Sequence, residues 1–130
     1  MSFADLMNEI GGFREEPAKI ICGGPMMGYP IYDMDVPITK LTNGFVCLTQ
    51  KEAALPPEQS CIRCGKCVGH CCMNLMPLEL NKYAVCRDLA QFNKYDGSSC
   101  IECGVCTYVC PAKRHLTQSI RMGKRLCGTG

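Results

Sequence analysis

The sequence has no tryptophan and only four phenylalanines and five tyrosines. No apolar run approaches the ~18 residues of a membrane span, which excludes a bilayer-crossing helix. Leu, Ile, Val and Phe together number 28 of 130 residues, little above the ~20% at which chains struggle to form a core. Hydrophobic burial alone is thin for a chain of this length. Charge of one sign is also scarce: the formal net charge of +2 is too weak a bias to argue for a nucleic-acid or membrane partner. The start, Met1 to Ile10, has neither the basic n-region nor the apolar h-region of a secretory leader, so a soluble chain in a reducing compartment is expected.

Cysteine is abundant, with 13 residues. An odd count and no leader disfavour a disulfide framework, leaving metal as the staple. Cys61, Cys64, Cys67 and Cys71 form the run C-I-R-C-G-K-C-V-G-H-C. Cys100, Cys103, Cys106 and Cys110 form C-I-E-C-G-V-C-T-Y-V-C, 39 residues later. Ile62 and Gly65 return as Ile101 and Gly104, so the chain carries an internal duplication.

Structural zinc sites usually combine two separate two-ligand knuckles, and three cysteines at successive three-residue steps crowd one ion. They suit a cubane, whose irons lie apart. C-x₂-C-x₂-C-x₃-C followed by Pro is the bacterial [4Fe–4S] pattern, in which the fourth cysteine ligates the other cluster of a pair. The spacing therefore assigns Cys61, Cys64, Cys67 and Cys110 to one cluster, and Cys100, Cys103, Cys106 and Cys71 to a second. Two zinc ions on the same thiolates are the structural alternative.

Pro111 follows Cys110, but Cys72 stands where the first run would have proline. That substitution predicts a more permissive turn and leaves Cys72 as a competitor to Cys71. Two clusters would take the formal charge from +2 to about −2, which Arg63, Lys66, Lys113 and Arg114 can offset. Cys22, Cys47, Cys86 and Cys127 read as ordinary core or surface residues rather than ligands. His70 is unnecessary as a ligand, and no nucleophile–base constellation suggests a catalytic residue.

The two halves differ in pattern. Between the runs, Pro77 is expected to open a helix reaching about residue 92, with Leu78, Leu80, Ala84, Leu89 and Phe92 on its apolar face, before a turn at Asp96-Gly97. A second helix is expected over Lys113 to Cys127, with Leu116 and Ile120 inward and Thr117, Gln118, Arg121, Lys124 and Arg125 toward solvent. In the first 55 residues, Phe3, Leu6, Met7 and Ile10 mark an amphipathic helix capped by Ser2 and Asp5 and stopped by Gly11-Gly12. Ala18 to Cys22 and Gly44 to Thr49 read as strands, and Ala53 to Pro57 as a linker. Gly23-Gly24-Pro25-Met26-Met27-Gly28 lacks phosphate-loop spacing and reads as a tight turn packed by its methionines. The expected class is α+β: a partial domain over 1–55, then a mainly helical two-cluster [4Fe–4S] ferredoxin domain over 56–130.

Gly23 to Gly28, then Pro37-Ile38-Thr39-Lys40-Leu41-Thr42-Asn43, then the two cysteine runs resemble the RnfC/RsxC family, a component of the Rnf electron transport complex. Tyr108-Val109-Cys110-Pro111-Ala112 also fits that family. The resemblance implies a peripheral protein on the cytoplasmic side of the cell membrane, passing electrons between NADH and ferredoxin through a flavin and two [4Fe–4S] clusters. It implies other members of the complex as partners, including another iron–sulfur protein. FMN and NADH sites are expected upstream of this sequence, and residues 1–55 are expected to be an incomplete β-grasp-like segment.

Overall fold

The computed structural model describes residues 1–128 and divides the chain into two compact units, Met1–Leu55 and a second beginning at Pro56.

In the first unit, helix α1 (Phe3–Glu9) starts at a reciprocal cap. Asp5 N–H donates to Ser2 Oγ (3.2 Å) and Ser2 N–H donates to the Asp5 carboxylate (2.8 Å). These bonds hold the Asp5 carboxyl below its ordinary pKa and satisfy amide groups that a helix start leaves orphaned. The helix ends at Ile10, before the glycine pair. It plants Phe3, which is fully buried, against Phe45 and Phe13 with ring centroids 4.5 and 6.3 Å away.

Strands β1 (Lys19–Cys22), β2 (Tyr29–Ile31) and β3 (Phe45–Leu48) form an antiparallel sheet in the order β2-β1-β3. The central strand buries Ile20, Ile21 and Cys22 in succession, as a strand covered on both faces does. β2, which the sequence pattern did not mark, runs through Pro30. The strand is at the sheet edge, where a missing N–H is tolerated. The Gly23–Gly28 segment is a turn closed by Gly28 N–H to the Gly24 carbonyl at 2.8 Å. Its methionines are not packed beneath it: Met26 and Met27 are exposed. A short helix α2 (Gln50–Ala53) ends at the first residue of the expected linker. Thr49 N–H donates to the Glu52 carboxylate at 2.9 Å there.

The second unit is helical: α3 (Lys66–Gly69), α4 (Pro77–Cys86), α5 (Leu89–Lys94), α6 (Val105–Tyr108) and α7 (Leu116–Gly128). The single helix expected from Pro77 to residue 92 is two helices. Arg87 caps α4 in the left-handed region (φ 57°), and Asp88 restarts the chain by accepting the Gln91 N–H at 3.1 Å. Asp96 (φ 54°) makes the next turn, into a 3₁₀ turn over Gly97–Ser99.

The apolar core of this unit consists of Leu75, Leu80, Ala84, Phe92 and Ile120. Leu80, Ala84 and Phe92 are fully buried. Phe92 fits because Gly123 faces it: a Cβ on Gly123 would lie 2.7 Å from the Phe92 ring and 3.1 Å from Ala84 Cβ. Replacing Gly123 with Ala gains helix propensity of about 1 kcal/mol, but overpacks a filled core at about 1–3 kcal/mol. Net destabilisation is expected in chemical denaturation, seen as a lower midpoint; a raised midpoint would show that the helix moves aside freely.

Candidate metal centre

The two cysteine loops repeat in backbone as well as in sequence. Arg63 and Glu102, 39 residues apart, both adopt positive φ (53° and 58°), as do Gly65 and Gly104 (74° and 81°). Asn74 and Lys113, again 39 apart, share φ 54°. Non-glycine residues rarely occupy this region, so their recurrence at matched positions marks an imposed loop geometry. The glycines at the second of these positions meet it without a Cβ penalty. Each loop then enters one helical turn, α3 or α6, which was not foreseen. Asn74 N–H donates to the Cys71 carbonyl and Lys113 N–H to the Cys110 carbonyl, at 3.1 and 3.2 Å. The turn beyond Cys71 thus matches the one beyond Cys110, although Cys72 replaces proline.

These loops line two cavities of similar size. The first is walled by Cys61, Cys64, Cys67 and Cys110, with Arg63 and Arg114 beside them. The second is walled by Cys71, Cys72, Cys100, Cys103 and Cys106, with Glu102 and Thr117. Atom-free space, counted out to open solvent, is about 370 Å³ and 390 Å³ respectively. In each, three thiols from one loop meet the last thiol of the other. None of the thirteen cysteines forms a disulfide. Among the described residues, no three His, Cys, Asp or Glu groups converge as a single metal ion needs.

Thiolate ligands require hydrogen-bond donors around them, and backbone supplies these. Arg63 N–H donates to Cys61 Sγ, Glu102 N–H to Cys100 Sγ and Leu75 N–H to Cys71 Sγ, each at 3.4 Å. The first two bonds come from the left-handed residues, which explains what the strained backbone achieves. Burial pushes the Cys67 and Cys100 thiols up from their ordinary pKa, with the Val68 and Glu102 amides acting in the opposite direction. The Cys72 thiol is also pushed up, by desolvation first and then by its hydrogen bond with Cys103. Thiolates that burial alone disfavours are the kind that a bound cation stabilises. The donor set therefore fits an iron–sulfur group at both cavities.

Charged residues are distributed less simply than the sequence suggested. Arg63 and Arg114 line the first cavity, while Lys66 and Lys113 line neither. Arg114 Nε is buried without a hydrogen-bond partner, its nearest carboxylate being Glu58 at 3.7 Å. Thr117, Arg121 and Lys124 do not all face solvent as expected. Thr117 is buried, and Arg121 and Lys124 bind Glu102 at 2.6 and 3.0 Å. Partial burial opposes Glu102 ionisation, but the bonds from Lys124 and Arg121 outweigh it and lower its pKa. Lys124 also donates to the Cys100 carbonyl at 2.7 Å, tying α7 to the second loop.

Other cysteines separate by location. Cys22 is buried, Cys47 and Cys86 are exposed and Cys127 is half-buried, so the four divide between core and surface, and none lines either cavity. His70 lines neither cavity; its Nδ1 lies 2.9 Å from the Lys66 carbonyl.

A mixed α/β chain whose second unit surrounds two thiol-lined cavities fits the class of iron–sulfur electron-transport proteins. No protein-family model matches it. It is 44% identical over 123 residues to the C component of the Na(+)-translocating ferredoxin:NAD(+) oxidoreductase complex of Acetobacterium woodii, covering 95% of this chain and 28% of that protein. It is 46% identical over 80 residues to the C component of the proton-translocating ferredoxin:NAD(+) oxidoreductase complex of Clostridium ljungdahlii, covering 62% of this chain and 18% of that protein. The C component of the ion-translocating oxidoreductase complex of Methanosarcina acetivorans matches at 41% over 123 residues, 92% of this chain and 27% of that protein. The chain belongs to the RnfC family of ion-translocating oxidoreductase complexes. It spans less than a third of the length of these curated relatives.

Proposed function

We propose that this chain is an electron-relay portion of an ion-translocating oxidoreductase complex, its second unit a two-cluster ferredoxin-type domain. Cys61, Cys64, Cys67 and Cys110 hold one [4Fe–4S] cluster, and Cys100, Cys103, Cys106 and Cys71 hold the other. The observation that carries this reading is the exchange of the last thiol between loops at both cavities. When bound, such clusters supply reversible one-electron transfer without bond chemistry on a substrate. The chain's own residues fix thiol positions through the 3.4 Å amide bonds and exclude water with Leu78, Leu80 and Ile120.

The relatives' names supply the wider reading: ferredoxin and NAD as terminal electron partners, and transport of an ion. In this reading FMN and NADH bind the part of the RnfC protein outside this sequence, and another iron–sulfur protein of the complex exchanges electrons with the clusters. The assembly sits peripherally on the cytoplasmic face of the membrane. Among the described residues, no helix is long and apolar enough to cross a membrane. The first unit's helix and three-stranded sheet are the contribution of this stretch to a β-grasp-like domain.

Anaerobic purification followed by metal and sulfide analysis tests the assignment. About eight iron and eight acid-labile sulfide per chain are expected from two four-iron clusters. About two zinc with no sulfide would replace this reading by a zinc-stapled module.

A further inference from the structure

The duplication allows the two cavities to be compared wall by wall. Every residue lining the first has its counterpart, 39 positions away in the chain, lining the second. Three of the exchanges change polarity. Arg63 becomes Glu102, Arg114 becomes Leu75, and Leu78 becomes Thr117. The cavities are thus matched in thiols and opposed in charge.

We propose, resting on the two-cluster reading, that the cluster at Cys61, Cys64, Cys67 and Cys110 has the higher reduction potential, and that Arg114 is the residue that sets it apart. One-electron reduction takes a four-thiolate cluster from −2 to −3 in formal charge. Positive charge and water stabilise the added electron, while low-dielectric surroundings disfavour it. The first cavity has two guanidinium groups in its wall and the second has a carboxylate. Ion-pair partners outside the walls offset both sides: Arg121 and Lys124 bind Glu102 directly at 2.6 and 3.0 Å, and Glu58 faces Arg114 at the longer distance of 3.7 Å, so the difference rests on the groups that line the cavities. Arg114 is more than a nearby charge. Its Nε is a buried donor with no hydrogen-bond acceptor, on the wall of a cavity whose ligands are sulfur. A charge-assisted bond from this group to sulfur favours the reduced state more than a neutral bond does.

Exposure acts in the same direction. Cys61 and Cys64 are exposed, whereas their counterparts Cys100 and Cys103 are half-buried; Cys67 is half-buried and its counterpart Cys106 is buried. An open groove past Lys82 and Val85 shares Cys61, Arg63, Leu78 and Arg114 with the first cavity.

One feature opposes the trend. Thr107 Oγ1 accepts the Thr117 N–H at 2.9 Å and lies 2.8 Å from Thr117 Oγ1. With the Thr107 proton directed to Thr117, the Thr117 hydroxyl is free to donate to Cys106 Sγ at 3.5 Å. This is a long, neutral bond to the second set of thiols, and it narrows the difference without reversing it.

The test is a redox titration of the anaerobically purified chain, with dithionite as the one-electron donor and electron paramagnetic resonance as the readout. Iron and sulfide are measured on every sample, so loss of the two-cluster reading is seen separately from failure of the ordering. Two midpoints are expected. Arg114→Leu should move the higher one to more negative potential and leave the lower in place, and Arg114→Lys should restore part of the shift. Thr117→Val should move the lower midpoint downward and leave the higher. Glu58→Gln, which removes the ion-pair partner of Arg114 but keeps the guanidinium, should not lower the higher midpoint. If Arg114→Leu loses iron, Arg114→Lys and Thr117→Val decide, because both retain a side chain of similar volume. The proposal fails if Arg114 variants with full iron content leave the higher midpoint unmoved or shift the lower one instead. It also fails if Thr117→Val moves the higher midpoint.

Discussion

Stripping iron from the chain is expected to abolish most of the helical structure of residues 58–126. The second unit has few other sources of stability. Its buried apolar core is Leu75, Leu80, Ala84, Phe92 and Ile120, all on or next to α4, α5 and α7. The first cysteine loop contributes little to that core, since residues 61–66 are all exposed; the loop thiols that do pack against it are Cys71 and Cys100, two of the groups a cluster would hold. Among the described residues six non-glycine residues have positive φ, and Arg63, Asn74, Glu102 and Lys113 are the four in the two cysteine loops. Each such residue costs on the order of 1 kcal/mol or more and persists only where the surroundings over-determine it. Metal–thiolate bonds are the interactions able to do so, and structural metal binding contributes on the order of 10 kcal/mol to folding. That is as large as the net stability of most domains. Oxidative cluster breakdown with a chelator present, followed by circular dichroism and a thermal scan, provides the measurement. The 222 nm signal should fall sharply and the cooperative transition of the second unit should vanish. Retention of a cooperative helical melt in the iron-free chain would show that the five-residue core is sufficient.

The parts of this fold that could be read in the sequence are those fixed by local covalent spacing. Ser2 and Asp5 lie three apart, and the capping box follows. The repeated cysteine spacing implies two matching loops, and the backbone repeats at the same 39-residue interval. Pro77 at the first turn of α4 was legible for the same reason, since its fixed φ suits that position and its missing N–H is not needed there. Features that depend on distant partners were not legible. β2 is three residues long with Pro30 at its centre, a segment that becomes a strand only through its pairing at the edge of the sheet. Leu89 and Phe92 continued the apolar pattern of α4, so periodicity hid the break. Asp88 was the one available signal, as a side chain able to cap a new helix. Thr117, Arg121 and Lys124 read as a solvent face by periodicity, but Glu102, about 20 residues earlier in the chain, draws Arg121 and Lys124 inward. The thiols of the site were therefore visible from spacing, whereas the charge pattern around them required the tertiary structure.

The ligand assignment itself is open to a test in which two arrangements give opposite results. In the crossed arrangement, Cys71 serves the cavity of Cys100, Cys103 and Cys106; in an uncrossed one it would serve its own loop, with Cys64. Removing Cys71 and Cys103 together should then empty one site and spare the other, leaving about four iron per chain. Removing Cys71 and Cys64 together should strike both sites and leave almost none. Uncrossed ligation reverses the two outcomes. Alanine is preferred to serine because a serine oxygen can still bind iron. Cys72 must be controlled, since it lines the same cavity and shares a hydrogen bond with Cys103. Cys71 is the half-buried thiol that accepts the Leu75 N–H at 3.4 Å, while Cys72 is exposed. Cys72→Ala alone should accordingly leave iron content unchanged, and Cys71→Ala alone should remove about half of it. If instead Cys72→Ala halves the iron, the exposed thiol is the ligand. The Leu75 amide bond to Cys71 would then be a packing contact of the loop, without a role in holding metal.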